Sequence, residues 1–136
     1  MRTLERGDVS CCSAEVALGF AHAAKDDGDM YFAYLWLLVA VDAGSDEAED
    51  LAEELYEAGS VTAEEVTQVH YQLASWYHTG SHVTEDARWS LEHLVHAARN
   101  HGLRHQRRLL SSLPPADALR RVGAEIGVLR DSSPEA

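Results

Sequence analysis

Twelve consecutive apolar residues, Met30 to Val41 (MYFAYLWLLVAV), run between Asp29 and Asp42, and Gly44 follows shortly after. The run is well short of the ~20 residues that cross a bilayer. Wound as a helix from a cap at Asp29 to about Ala43, with Gly44 at the C′ position, it is apolar nearly all round: Tyr31, Phe32, Leu35, Trp36, Leu37 and Val39 leave no polar face. Such a helix has to be covered on most sides. The rest of the chain must therefore supply neighbours for several faces at once, which makes this segment a central core helix in preference to an aromatic ligand box.

The neighbours are legible as further helices. Sustained period-two alternation and Asn-Gly or Asp-Gly hairpin signals are missing, and apolar residues recur at helical spacing between glycines. Val16, Ala17, Phe20 and Ala24 mark a first helix over about 12–25, ended by Asp26-Asp27-Gly28-Asp29. A third, about 46–58, places Ala48, Leu51, Ala52, Leu55 and Tyr56 on one stripe and stops at Gly59. Thr62-Ala63-Glu64-Glu65 reads as a capping box opening a fourth, with Val66, Val69, Leu73, Trp76 and Tyr77 on the way to Gly80. A fifth opens near Thr84, with Glu85 and Asp86 at its positive end, and carries Leu91, Leu94, Val95 and Ala98 to Gly102. Pro114-Pro115 interrupts the chain before a short terminal helix with Leu119, Val122, Ile126 and Leu129.

Aligning the glycines exposes recurring phrases. EAEDLAEELYEAG and QLASWYHTG both place Tyr three residues before Gly, while Ala33, Trp36, Ala40 and Gly44 share their offsets with Leu91, Leu94, Ala98 and Gly102. Over about residues 17–102 these phrases resemble the Sel-one-like repeat, a relative of the tetratricopeptide repeat. The resemblance implies an α-solenoid of paired helices with a concave face that holds other proteins, and it brings no catalytic residues. The phrases depart from the family in not alternating regularly, two of the "LA…Y…G" type standing in succession. The expected fold is all-α: a short, irregular α-solenoid of five to six helices packed as helical hairpins, one domain over 1–130 and a loose tail over 131–136.

Charge is distributed as unevenly as hydrophobicity. Between Asp26 and Ala87 lie fifteen acidic residues and neither lysine nor arginine, so more than the whole formal charge of −12 originates there. The third helix concentrates it: Asp46, Glu47, Glu49, Asp50, Glu53, Glu54 and Glu57 fill the positions its apolar stripe leaves. The pairs 46/50, 49/53, 50/54 and 53/57 each cost about 0.2–0.5 kcal/mol by like-charge repulsion. A surface selected for structure alone intersperses both signs. These seven residues are the candidate partner-binding site, set against a plain solvated face. Phosphate contacts require Lys and Arg, so the acidity argues against nucleic acid. The reservation is the C-terminal arginines (Arg99, Arg104, Arg107, Arg108, Arg120 and Arg121), which could fold back onto the acidic helices or pair with another copy, an RNA contact being the weaker use.

Chemistry-bearing motifs are weak. His78 and His82 are separated by Gly80, His93 and His96 are three apart on the fifth helix, and His101 and His105 straddle Gly102. HExxH and the Glu-x-x-His pair of di-iron bundles are both missing, and surface or helix-end histidines are the expectation. Cys11 and Cys12 are adjacent, a poor geometry for a bridge, and read as two small thiols. Asp26-Asp27-Gly28-Asp29 lacks the order of an EF-hand loop and reads as a polar turn. No metal or cofactor is expected.

These features point to a non-catalytic protein-binding module with a basic protein partner, in the role of a bacterial immunity or antitoxin protein holding a toxin or nuclease. A scaffolding adaptor and a histidine-using metal-binding or enzymatic bundle are the other readings. Without a signal-peptide core after Arg2 and Arg6, and without a bilayer-length apolar run, the expected location is the cytoplasm with no membrane contact.

Overall fold

The first five described helices each start where a short polar side chain reaches an otherwise orphaned backbone N–H. The computed structural model describes residues 13–102 and 107–126, in which seven α-helices and no strand occur. Ser13 caps α1 (Ala14–Asp26) by accepting from the Val16 N–H, and Asp29 caps α2 (Met30–Asp42) through the Phe32 N–H. Ser45 does the same for α3 (Asp46–Glu57) through Ala48. Thr62 and Glu65 form the expected reciprocal capping box at the head of α4 (Ala63–Thr79): the Thr62 Oγ1 accepts from the Glu65 N–H at 3.1 Å, and the Glu65 carboxyl accepts from the Thr62 N–H at 2.9 Å. Helix α5 (Ala87–Asn100) is capped by Asp86 through Trp89. The expected start at Thr84 is therefore corrected: Thr84 and Glu85 precede the helix, because Asp86 is the side chain that reaches the third N–H of the first turn.

Two further helices, α6 (Arg107–Ser112) and α7 (Pro115–Ile126), complete the described chain. The sequence reading of five to six helices missed α6, a six-residue turn whose only buried residue is Leu110. Its apolar content is too short to show a period. Pro115 opens α7, where its missing N–H is harmless. Gly44 and Gly80 stop α2 and α4 with φ of 101° and 78°, a left-handed backbone that a side chain would strain. Cys11, Cys12, His105, Leu129 and the tail 131–136 lie outside the described residues.

The most extensive helix pairs are α1 along α2 and α4 along α5, each an antiparallel hairpin, with α3 packed on α2 and α7 across α4 and α5. Helix α2 is covered by α1, α3 and α4, as its all-round apolar surface requires. Leu35 and Ala40 are fully enclosed, while Trp36 is half-buried. One core gathers Ala17, Leu35, Ala48, Leu55, Leu73 and Tyr77 from α1 to α4. A second gathers Leu94, Val95, Leu110, Leu119 and Val122 with Ala74 of α4. Helix α4 borders both, and burying a side chain such as Leu73 completely contributes about 1.5–3 kcal/mol. Among the described residues no helix is long and apolar enough to cross a membrane.

Candidate functional site

The acidic helix has the form its sequence required. Ala48, Ala52 and Leu55 of α3 are buried, and Asp46, Glu47, Glu49, Asp50, Glu53, Glu54 and Glu57 are all exposed. Among the described residues none of these seven side chains is in an ion pair or hydrogen bond. Asp46, Glu47 and Glu49 occupy the first turn, where the helix dipole favours negative charge, but the last turn has no basic residue and ends on Glu54 and Glu57, where the dipole opposes them. Tyr56 is corrected: it is 48% exposed, so the edge of the stripe it was expected to share with Ala52 and Leu55 is left uncovered.

None of the described C-terminal arginines pairs with this face. Arg107 grips Glu92 of α5 with two hydrogen bonds, at 2.8 and 3.0 Å, and holds the Glu92 carboxyl below the usual range. Arg120 pairs with Asp117 inside α7. Arg99, Arg108 and Arg121 are exposed. The expected fold-back onto the acidic helices is thus not found at the described arginines.

A second cluster is centred on the buried His93, with His70 half-buried and His96 exposed at its edge, and its sequence signal was faint. Asp42 at the end of α2 accepts the Tyr77 hydroxyl of α4 at 2.9 Å, and the same oxygen lies 2.7 Å from His93 Nε2 of α5. The Asp42 and His93 side chains are only 8% and 5% exposed. His93 Nδ1 lies 2.9 Å from His70 Nδ1 of α4. Because Asp42 Oδ2 is an acceptor, Nε2 is the donor of a neutral His93; its Nδ1 then accepts from His70 Nδ1–H. The His96 ring lies 5.0 Å from that of His70 and 6.4 Å from that of His93, and Tyr77 stacks parallel on His93. The histidines were expected at the surface or at helix ends, and His93, 4% exposed, overturns that reading. Its sequence signal is position: His93 falls between Trp89 and Ala97 on the inward side of α5, as His70 falls between Val66 and Leu73 on α4.

Burial, followed by the neighbouring His93 and His96, pushes the His70 imidazole down to about 3. His96 is lowered by burial and by His93, against an opposing pull from Glu92. Burial and then the charge of Asp42 raise the Tyr77 phenol far above its ordinary value. Burial thus favours the neutral forms of His70, His96 and Tyr77. Among the described residues no three His, Cys, Asp or Glu side chains are arranged to hold a metal ion.

Two other features adjoin these sites. A row of aromatic rings crosses α1, α2 and α4: Phe20 lies 4.7 Å from Trp36, Trp36 5.6 Å from Trp76, and Trp76 4.2 Å from His82, whose φ of 66° places it in the left-handed region. A mostly apolar cleft of about 240 Å³ opens beside α5, lined by Leu91, Leu94, Leu110, Leu113 and Pro115. Comparison with protein-family models, curated proteins and solved structures finds no match to this chain.

Proposed function

We propose that this protein is a non-catalytic binding module, an irregular helical-hairpin solenoid of the kind its repeat phrases resemble, and that α3 receives a basic protein partner. The observation that carries this reading is the α3 surface: seven exposed carboxylates, with an exposed Tyr56 on the same helix and, among the described residues, no basic side chain paired with them. Four like-charge pairs and an acidic C-terminal turn are a standing cost to the helix, and a complementary cationic surface offsets it. Tyrosine is among the residues enriched where binding energy concentrates. A charge field of this kind steers encounter more than it deepens affinity. A basic toxin or nuclease, held by an acidic immunity protein, is the partner class that fits this charge and size best.

The test replaces Glu49, Glu53 and Glu57 by lysine together. Helicity is expected to persist, since the substitutions relieve repulsion. Capture from the native host, with mass spectrometry, identifies what the wild type retains and the triple variant loses; against that protein, association slows in the variant and wild-type association falls steeply with added salt. Equal capture by both proteins and a flat salt response would leave the acidic face a solubility feature.

A further inference from the structure

Asp42, Tyr77, His93 and His70 join three helices through one unbranched chain of side chains. Asp42 is the last residue of α2, three before the Ser45 cap of α3, and its carboxyl reaches α4 through Tyr77 and α5 through His93. Beyond it, the contact between the two imidazoles at 2.9 Å has room for one hydrogen. Neutral His93 accepts there and His70 donates; a protonated His93 could donate there if His70 were the acceptor. With a proton on every nitrogen, two N–H groups would face each other, and two like charges would stand at hydrogen-bond distance in a buried site. That arrangement cannot persist closed.

We propose that the Asp42–Tyr77–His93–His70 network is an acid-opened clasp: it holds the C-terminal end of α2, and α3 with it, on the α4–α5 hairpin, and the second proton to enter the imidazole pair releases it. The groups that face the pair support this direction. Asp42 from α2 can balance one positive charge, not two. Tyr77 from α4, His96 and Arg99 from α5 and Arg107 from α6 bring no further negative charge, Glu92 of α5 is already engaged by Arg107, and Asp86 at the head of α5 acts on Tyr77. At the other end of α2, Tyr31 donates to Gln72 of α4 at 3.0 Å, a tie with no acid-range titration, so α2 is released at one end only.

The sign follows from His70. Its closed-state value of about 3 lies below the ordinary 6.5, so the closed clasp binds fewer protons than the open one. The clasp is at full strength above pH 6.5 and weakens as pH falls toward 3. For one proton the opening equilibrium approaches a tenfold rise per pH unit below the ordinary value, or about 50-fold between pH 6.5 and about 4.5.

The decisive measurement is side-chain NMR of the full chain with ¹⁵N-labelled histidine. On acidification, the ring-to-ring cross-peaks between Tyr77 and His93 are expected to vanish reversibly in the step in which the second imidazole of the His70–His93 pair takes its proton, while far-UV circular dichroism stays helical. His70→Gln supplies an amide donor to His93 that takes no proton, and is expected to keep those cross-peaks through the same range. Should that variant fail to fold, the wild-type titration decides alone. Protonation of both His70 and His93 with the Tyr77–His93 contact intact, or loss of that contact at an unchanged pH in His70→Gln, would overturn the clasp. None of this requires a partner, so its failure is separate from that of the binding reading.

Discussion

Replacing Asp42 by alanine removes the shared acceptor of two buried donors at once. His93 Nε2 at 2.7 Å and the Tyr77 hydroxyl at 2.9 Å both depend on Asp42 Oδ2. A buried donor left without an acceptor costs about 1–3 kcal/mol, so two of them cost about 2–6 kcal/mol. The two orphaned donors and the low exposure of both side chains place Asp42→Ala in that range; a water entering the vacated space would satisfy one donor and set the lower end. Urea unfolding at neutral pH, followed by circular dichroism, reads this as a fall in midpoint at an unchanged m value. The companion is Asp42→Ala with Tyr77→Phe. Deleting the orphaned hydroxyl is expected to recover about 1 kcal/mol, so the double variant is more stable than the sum of the single losses requires. A loss below 1 kcal/mol in Asp42→Ala, or strict additivity in the pair, would show that the network carries no such energy.

Two further outcomes follow from burial and charge. Leu35→Ala empties a fully enclosed site in α2 and is expected to cost about 2–5 kcal/mol, whereas Trp36→Ala, at a half-buried position between Phe20 and Trp76, is expected to cost less than the emptying of an enclosed aromatic; the reverse order in urea unfolding would mean that α2 is rotated from the orientation described here. Tyr31, raised by burial and then by Glu65 to about 12 from 10.0, favours the neutral phenol when folded; its contribution is complete below pH 10 and is lost as pH rises toward 12. Tyr31→Phe should therefore flatten the alkaline decline of stability, and phenolate absorbance of the native wild type should show at least two tyrosines fewer, Tyr31 and Tyr77, titrating near pH 10 than the same chain in urea.

The helices that could be read along the chain are those whose signals lie within a few residues of one another. The Thr62–Glu65 capping box, the caps at Asp29 and the glycine stops at 44, 59, 80 and 102 are local chemistry, satisfied by N–H and C=O groups a single turn away. Helix α6 escaped because one buried leucine in six residues establishes no period, and the start of α5 was misplaced because Thr84, Glu85 and Asp86 all suit a helix head and only the backbone path selects among them. Tyr56 was assigned to the buried stripe because its spacing allowed it; whether the neighbouring surface reaches that far round α3 is not a local property.

The acidic face lay wholly within the sequence, since seven acids distributed around a fixed apolar stripe on one helix have nowhere to go but outward. That Arg107 pairs elsewhere did not, because it could choose between α3 and Glu92 only once α6 was laid against α5. The histidine cluster belongs to the tertiary structure entirely: Asp42, His70 and His93 are 28 and 23 residues apart along the chain and on three different helices. Periodicity reports which side of a helix is apolar, since that is set by 3.6 residues per turn. It carries no record of which polar residue on that side will face which, because that pairing is made by the crossing of helices, and the free energy that selects it is spent only when they close on one another.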